Sequence, residues 1–580
     1  MTENLTARFD DLFTLEARTC RVRLSDQSHS TQKASMRRFS ATCGTALFSC
    51  LLAATAASAQ DPPALNVEFI SELKLNRPTT RLGVAPTSDI YVAGDYAYIG
   101  TFAVDDHELY IVDVSDPSQM TLAATVPIIG TAHDVKVAGD IAVVSGHPTD
   151  KGPGGITVID VSDPRNPQIL SKFTQPCGEG VHNAFLHANR AYLAHSSCFG
   201  ITIVDLSDPS NPAITGSWLN SNDRFSNIIH DIFILDDIAY ISDIVEEFGG
   251  LVIADVSDPD HIETRSNVFA PEGIHRAAAG GDFAYYNAEF NPNAFMHIAD
   301  VSDPSNPIEV GRFRSEDFVT GSFMGSHNPW VQDGLLYWGY YDSGLRIFDL
   351  FDPADPVEIG YYVTGQAWGV QPYRDGIVLI SENTLSGVRA VRFTPPSQAI
   401  RHLSMSQRSI VSGGEAPHDL EVTALTEPFP GVSAGNIAEI ILSVPQLQGQ
   451  PSFPMEDQGG GRYVGHLQIP ADVSIGRYGL RVRLEDEHGS TYPRKTSFTV
   501  FPPMDLHISA DGLDSTWEQT ALFSADINYE ETTEVFSGIS SVGIDGNGFN
   551  VQWSTPDPIP AIAFTSLAFA FHPGDTEPGR

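Results

Sequence analysis

Apolar positions along this chain fall in short runs broken by Gly, Asp and Pro, without helical spacing. The clearest run ends in a fixed polar tag, of type G-x-x-I-x-D-[VL]-x-D-P, and it occurs six times. The copies are ELYIVDVSDP (108–117), GITVIDVSDP (155–164), GITIVDLSDP (200–209), GLVIADVSDP (250–259), FMHIADVSDP (295–304) and GLRIFDLFDP (344–353). Their closing aspartates, Asp113, Asp160, Asp205, Asp255, Asp300 and Asp349, are 47, 45, 50, 45 and 49 residues apart. Upstream of the tag lies a second recurrent piece, as in HDVKVAGDIAVVSG (133–146) and HDIFILDDIAYISD (230–243). Downstream lies another apolar stretch, such as PIEVGRFRSE (307–316). Each unit thus predicts strand, Gly/Asp turn, strand, loop, strand, Ser-Asp-Pro turn, strand. Four short strands in a period of about 45 residues make one blade of a β-propeller.

The Ser-Asp-Pro tag has a local reason. Asp and Ser cap a turn through their side-chain oxygens, and Pro presets φ and stops ladder pairing. The repeated aspartates are therefore structural first. Residues 369–393 supply three more strands, and NVEFISELKL (66–75) resembles the outer strands of the other units. The N-terminal strand is expected to complete the last blade, giving seven blades over 64–396 with no open edge. The repeat is lost after 394–402, which reads as a linker. Residues 403–502 alternate as in an immunoglobulin-like sandwich. Residues 504–580 form a further β-rich segment with a hairpin signal at Asn547-Gly548; its DGL…W opening (511–517) resembles that of jelly-roll carbohydrate-binding modules, and the segment is about half the length of such a domain, a truncated jelly roll or a smaller appendage. The fold class expected is all-β.

Charge and composition narrow the function. Of 580 residues, 33 are Lys or Arg and 73 are Asp or Glu, a formal charge of −40. Nucleic acid and anionic lipid are disfavoured as partners, since both need clustered basic residues. From Met36, the stretch MRRFSATCGTALFSCLLAATAASAQ has a basic start, an apolar run and small residues at Ala57-Ser58-Ala59. It reads as a secretory signal over 36–59, with 1–35 an extension before the true start. No later segment is long enough to span a bilayer, which predicts export to the periplasm, the medium or the cell surface. Residues 1–59 hold seven basic and five acidic residues, so the remainder carries −42. That remainder keeps two cysteines, Cys177 and Cys198, which an oxidising compartment would join in a disulfide. Two buried free thiols are the alternative.

On the x-x-I-x-D-V-S-D-P core and the His-Asp/Asn pair opening several units, the chain resembles the LVIVD-repeat proteins, and among them the choice-of-anchor B surface proteins. The resemblance covers about 330 residues. It implies a propeller on an exported protein and no particular chemistry.

No phosphate loop, nucleophile elbow or paired-cysteine zinc motif is present in the sequence. Aligning the units places His133, His182, His230, His275 and His327 at one position, the start of the innermost strand, with Ser88 and Gly369 there in the remaining two. The next residue is Asp89, Asp134, Asn183, Asp231, Arg276 or Asn328. Loops expected on the same face carry, among others, His147, His195, Asp243, Glu289 and Glu382. Imidazoles at a channel mouth with carboxylates behind them suit a divalent transition metal. The competing reading is structural, because repeats arise by duplication and such a His can simply bond a neighbouring backbone. Convergence of three or more of the five on one point would favour metal. The function expected is an exported binding or interaction protein for an extracellular protein or glycan. A propeller metalloenzyme using the His ring is the alternative.

Overall fold

The computed structural model describes residues 63–501 apart from short stretches, and the backbone of five strands between 505 and 571. Outside the described residues lie 1–62, 76–78, 81–82, 85–86, 102–106, 150–151, 175–179, 196–198, 290–294, 316–324, 384–385, 414–416, 448–451, 502–504 and the connections beyond 510. Both the signal segment and the Cys177–Cys198 pair fall there.

Among the described residues the secondary structure is β throughout. Between 64 and 393 the strands form seven antiparallel four-stranded sheets, one of them with a short fifth strand, and a small two-stranded ladder of Thr79–Thr80 with Gly83–Val84. Their innermost strands are Thr87–Ala93, Thr131–Ala138, Asn183–His187, Ile229–Leu235, Arg276–Gly280, Pro329–Gln332 and Ala367–Pro372. Each inner strand neighbours the next, and the last returns to the first. This is a β-propeller, with its apolar side chains buried between successive blades.

The tags behave as turn devices. Asp113, Asp160, Asp205, Asp255 and Asp300 each accept a bond from the backbone N–H of the serine two residues on, at 2.8–3.0 Å. The second aspartate of each tag likewise accepts from the backbone N–H two residues on, whether that residue is Ser118, Arg165, Ser210, Asp260, Ser305 or Ala354. The serine hydroxyl and then the serine N–H hold Asp113 and Asp160 below the usual carboxylate range, and the Ser302 N–H followed by its hydroxyl does so for Asp300. A carboxyl depressed in the folded state stabilises above its unfolded pKa and loses that contribution as pH falls through its folded value. The melting temperature is therefore expected to fall as pH drops from about 4 toward 2. Melts across that range check this, and a flat profile would contradict it.

The N-terminal strand Val67–Lys74 closes the seventh sheet, pairing with Gly387–Phe393 from Val67 opposite Phe393 to Lys74 opposite Gly387. Just before it, Ala64–Leu65 edges the sixth sheet. Asn66 makes the step between them at φ 52°, which asparagine tolerates better than most residues.

The strand Gln398–Met405 begins inside the stretch that the sequence marks as linker. With the strands up to Phe501 it builds two facing sheets around a common core, which is continuous with that of the sixth and seventh blades. The junction uses the one tag that has Phe351 in place of serine. Asp349 accepts from the Phe351 N–H with one oxygen, and its other oxygen takes Arg401 at 2.5 Å and the Tyr492 hydroxyl at 2.9 Å. Arg401 also lies over the Phe351 ring at 4.1 Å. Asn66 adds a bond to the Thr491 carbonyl. Further on, strands Ser537–Ile544 and Asn547–Ser554 pair with Ile544 opposite Asn547. The hairpin therefore turns before Asn547-Gly548, not at it.

Candidate metal centre on the channel axis

Neighbouring residues of a strand point to opposite faces, so a His and the residue after it would not normally share the channel. A β-bulge changes that. In the second blade Ala132 pairs with Gly146 and Asp134 with Ser145, leaving His133 as the extra residue. His230 is the extra residue in the fourth blade. The bulge re-aims the imidazole toward the axis while the following side chain still faces inward.

The imidazoles form a chain around the mouth. His133 stacks on His147 with centroids 3.9 Å apart, and His182 stands 5.1 Å from His133 and 5.0 Å from His147. His182 is followed by His230 at 4.0 Å, His275 at 4.2 Å and His327 at 4.3 Å. Two groups bring their donor atoms within 4.8 Å of one another: half-buried His133, His147 and His182, and buried His230, His275 and Glu289. Each group takes only two of the five aligned histidines, short of the three whose convergence would favour metal, and is completed from outside that column, by His147 at the end of strand Ile141–His147 and by Glu289 from a loop. His327 belongs to neither, its Nδ1 donating to the Trp368 carbonyl at 2.7 Å.

Burial keeps these rings neutral. It holds His147 down to about 4 and His230 and His327 to about 3, with His133, His182 and His275 also well below the ordinary imidazole value. A neutral imidazole offers a lone pair to a metal. His182 Nδ1 lies 3.0 Å from His147 Nε2, one nitrogen donating and the other accepting. Burial raises Glu289 to about 7 against the opposing bond from the Tyr341 hydroxyl.

Below the rings the channel is filled by a buried charged layer. Asp89 faces Lys136 at 3.6 Å and Arg276 at 3.2 Å, and accepts from Asn328 at 2.9 Å. Arg276 also faces Asp231 at 3.5 Å, Asn183 donates to Asp231, and Lys136 pairs with Asp134. Three carboxylates share two cations. Burial and the neighbouring Asp89 push Asp134 well above its ordinary value, while Lys136 and Arg276 hold Asp89 below its own.

The LVIVD repeat description matches residues 86–127, 129–174, 189–220, 229–268 and 278–315. The chain thus carries five LVIVD repeats on its β-propeller. The fold is similar to that of a protein described as a 6-phosphogluconolactonase from Bacteroides fragilis, at 12% identity over 54% of this chain and 92% of that one, with a TM-score of 0.40. It is similar as well to the extracellular domain of a hybrid two-component system from B. thetaiotaomicron, at 10% identity over 76% of this chain and 57% of that one, TM-score 0.41. Hydrazine synthase from Kuenenia stuttgartiensis matches at 12% identity over 56% of this chain and 97% of that one, TM-score 0.41. No curated protein matches the sequence.

In this LVIVD-repeat propeller the alignment of the last blade shifts by one. Ala367 pairs with Glu382 and Gly369 with Ser381, so Trp368, not Gly369, is the bulged residue equivalent to His133. Its ring stands 4.5 Å from His327 and continues the chain of rings. Gly369 takes the aspartate position, where a Cβ would meet Asp89 Oδ1 at 2.5 Å. His147 and Glu289, placed by the sequence among loop residues behind the ring, stand at donor positions within it. The other loop candidates are engaged elsewhere: His195 with Thr202 and the Gly180 carbonyl, Asp243 with Ser226 and Asn227, Glu382 with the Gln366 N–H. Lys136 and Tyr341 had no sequence signal beyond lying on an inner strand or in a loop.

Proposed function

We propose that this protein is an exported binding module, a seven-bladed propeller carrying an Ig-like sandwich, that holds a divalent transition-metal ion at His133, His147 and His182. The observation that carries the reading is the meeting of three neutral imidazoles from two blades at a half-exposed mouth. Ions would enter from the mouth, because the charged layer fills the channel beneath. Three His ligands leave a fourth position open for an outside donor such as a protein side chain or a glycan hydroxyl. The signal segment at 36–59 supports export, and a Cys177–Cys198 bridge would suit that compartment. Among the described residues no helix is long and apolar enough to cross a membrane. The same open position is what favours the second reading, a metalloenzyme.

Calorimetric titration of untagged, metal-stripped protein with Zn(II) tests the site. His182→Ala is expected to weaken binding by more than about 100-fold, beyond the loss typical of removing an outer-shell partner. Unchanged affinity in that variant would overturn the assignment.

A further inference from the structure

The second group differs from the first in burial, in donor set and in how its polar atoms are left. His275 is 1% exposed, and neither of its ring nitrogens has a hydrogen-bond partner; His230 Nδ1 is also without one. A buried polar atom left without a partner forfeits its hydration with nothing in exchange, so the arrangement is unfavourable unless something binds it. His275 Nε2 lies 3.6 Å from Glu289 Oε2, too far for a hydrogen bond. Two donors each about 2.1 Å from one ion at a tetrahedral angle stand roughly 3.4 Å apart, which fits. The other oxygen, Glu289 Oε1, accepts from the Tyr341 hydroxyl at 2.5 Å. That bond orients the carboxylate with Oε2 free toward the imidazoles, as outer-shell partners of metal ligands do.

We propose that His230, His275 and Glu289 form a second metal site, separate from the half-exposed histidine triad. Two imidazoles and one carboxylate suit Zn(II) or Fe(II), with the remaining coordination positions open. The Tyr341 hydroxyl is a positioning group for Glu289. The site does not depend on the first triad, since the two share no residue.

Co(II) titration of the stripped full chain, followed by its visible absorption, separates the two. Wild type is expected to take up two equivalents, Glu289→Gln one, and His133→Ala/His147→Ala the other one. A single wild-type equivalent that Glu289→Gln abolishes supports this site and removes the first. Uptake by Glu289→Gln equal to wild type overturns the proposal. If that variant does not fold, anomalous diffraction from Zn(II)-loaded wild-type crystals decides: a peak between His275 and Glu289 supports the site, and its absence overturns it.

Discussion

Lys136→Met is expected to destabilise the protein by about 3–5 kcal/mol, the cost of breaking a buried ion pair from one side. The lysine side chain is 4% exposed and stands between Asp134 and Asp89. Methionine keeps the stem but removes the charge, leaving three buried carboxyls to share Arg276 alone. Asp134→Asn in the same chain is expected to restore much of the loss, since one carboxylate disappears with one cation. The pH dependence has a definite sign. Without Lys136 both Asp89 and Asp134 hold protons more tightly when folded, so the folded state binds protons preferentially and gains stability as pH falls. The deficit should narrow between pH 7 and 5. Urea denaturation at both pH values measures it, and a deficit below about 1 kcal/mol at pH 7 would show that the layer does not act as an ionic unit.

Deleting residues 64–75 is expected to abolish cooperative folding. The segment supplies the outer strand of the seventh blade, and its removal exposes the ladder edge of Gly387–Phe393. It also removes Val67 and Leu75 from the core and Ile70 and Leu73 from its border. At about 1.5–3 kcal/mol for each fully buried aliphatic side chain, Val67 and Leu75 alone account for about 3–6 kcal/mol, and the half-buried Ile70 and Leu73 add to it, against the roughly 5–15 kcal/mol that stabilises a typical domain. The free edge would then recruit other chains, so aggregation should accompany the loss. A peptide spanning 63–76, added in trans, can restore the ladder by strand addition, and recovery of a cooperative melt would confirm the role. A truncated protein that melts as wild type does would refute it.

The propeller was legible because its determinants are local. Asp113 and Ser115 shape their turn within three residues, and apolar alternation repeats in every blade whatever lies beside it. Closure by residues 66–75 was readable for the same reason, since that strand carries the pattern of an outer strand. The histidine position was also legible, as a column in the repeat. The grouping of those histidines was not. Five equivalent residues look alike in a repeat, but His147 and Glu289 complete two different sets, and His327 turns to the Trp368 carbonyl. The one-residue slip at Trp368 went unseen because a bulge alters register without altering composition.

What the sequence by itself determined is the unit: its four strands, its Asp-closed turns and the strand that closes the ring. Those depend on neighbours a few residues away or on a pattern repeated along the chain. What only the tertiary structure decided is the content of the axis. There residues 89, 136 and 276 share one charged layer, and residues 230, 275 and 289 share one cluster, because ring closure sets distant inner strands side by side. Burial then acts on whatever has met, lowering the imidazoles, raising Asp134 and making every unpartnered nitrogen costly. None of that is written in a single blade.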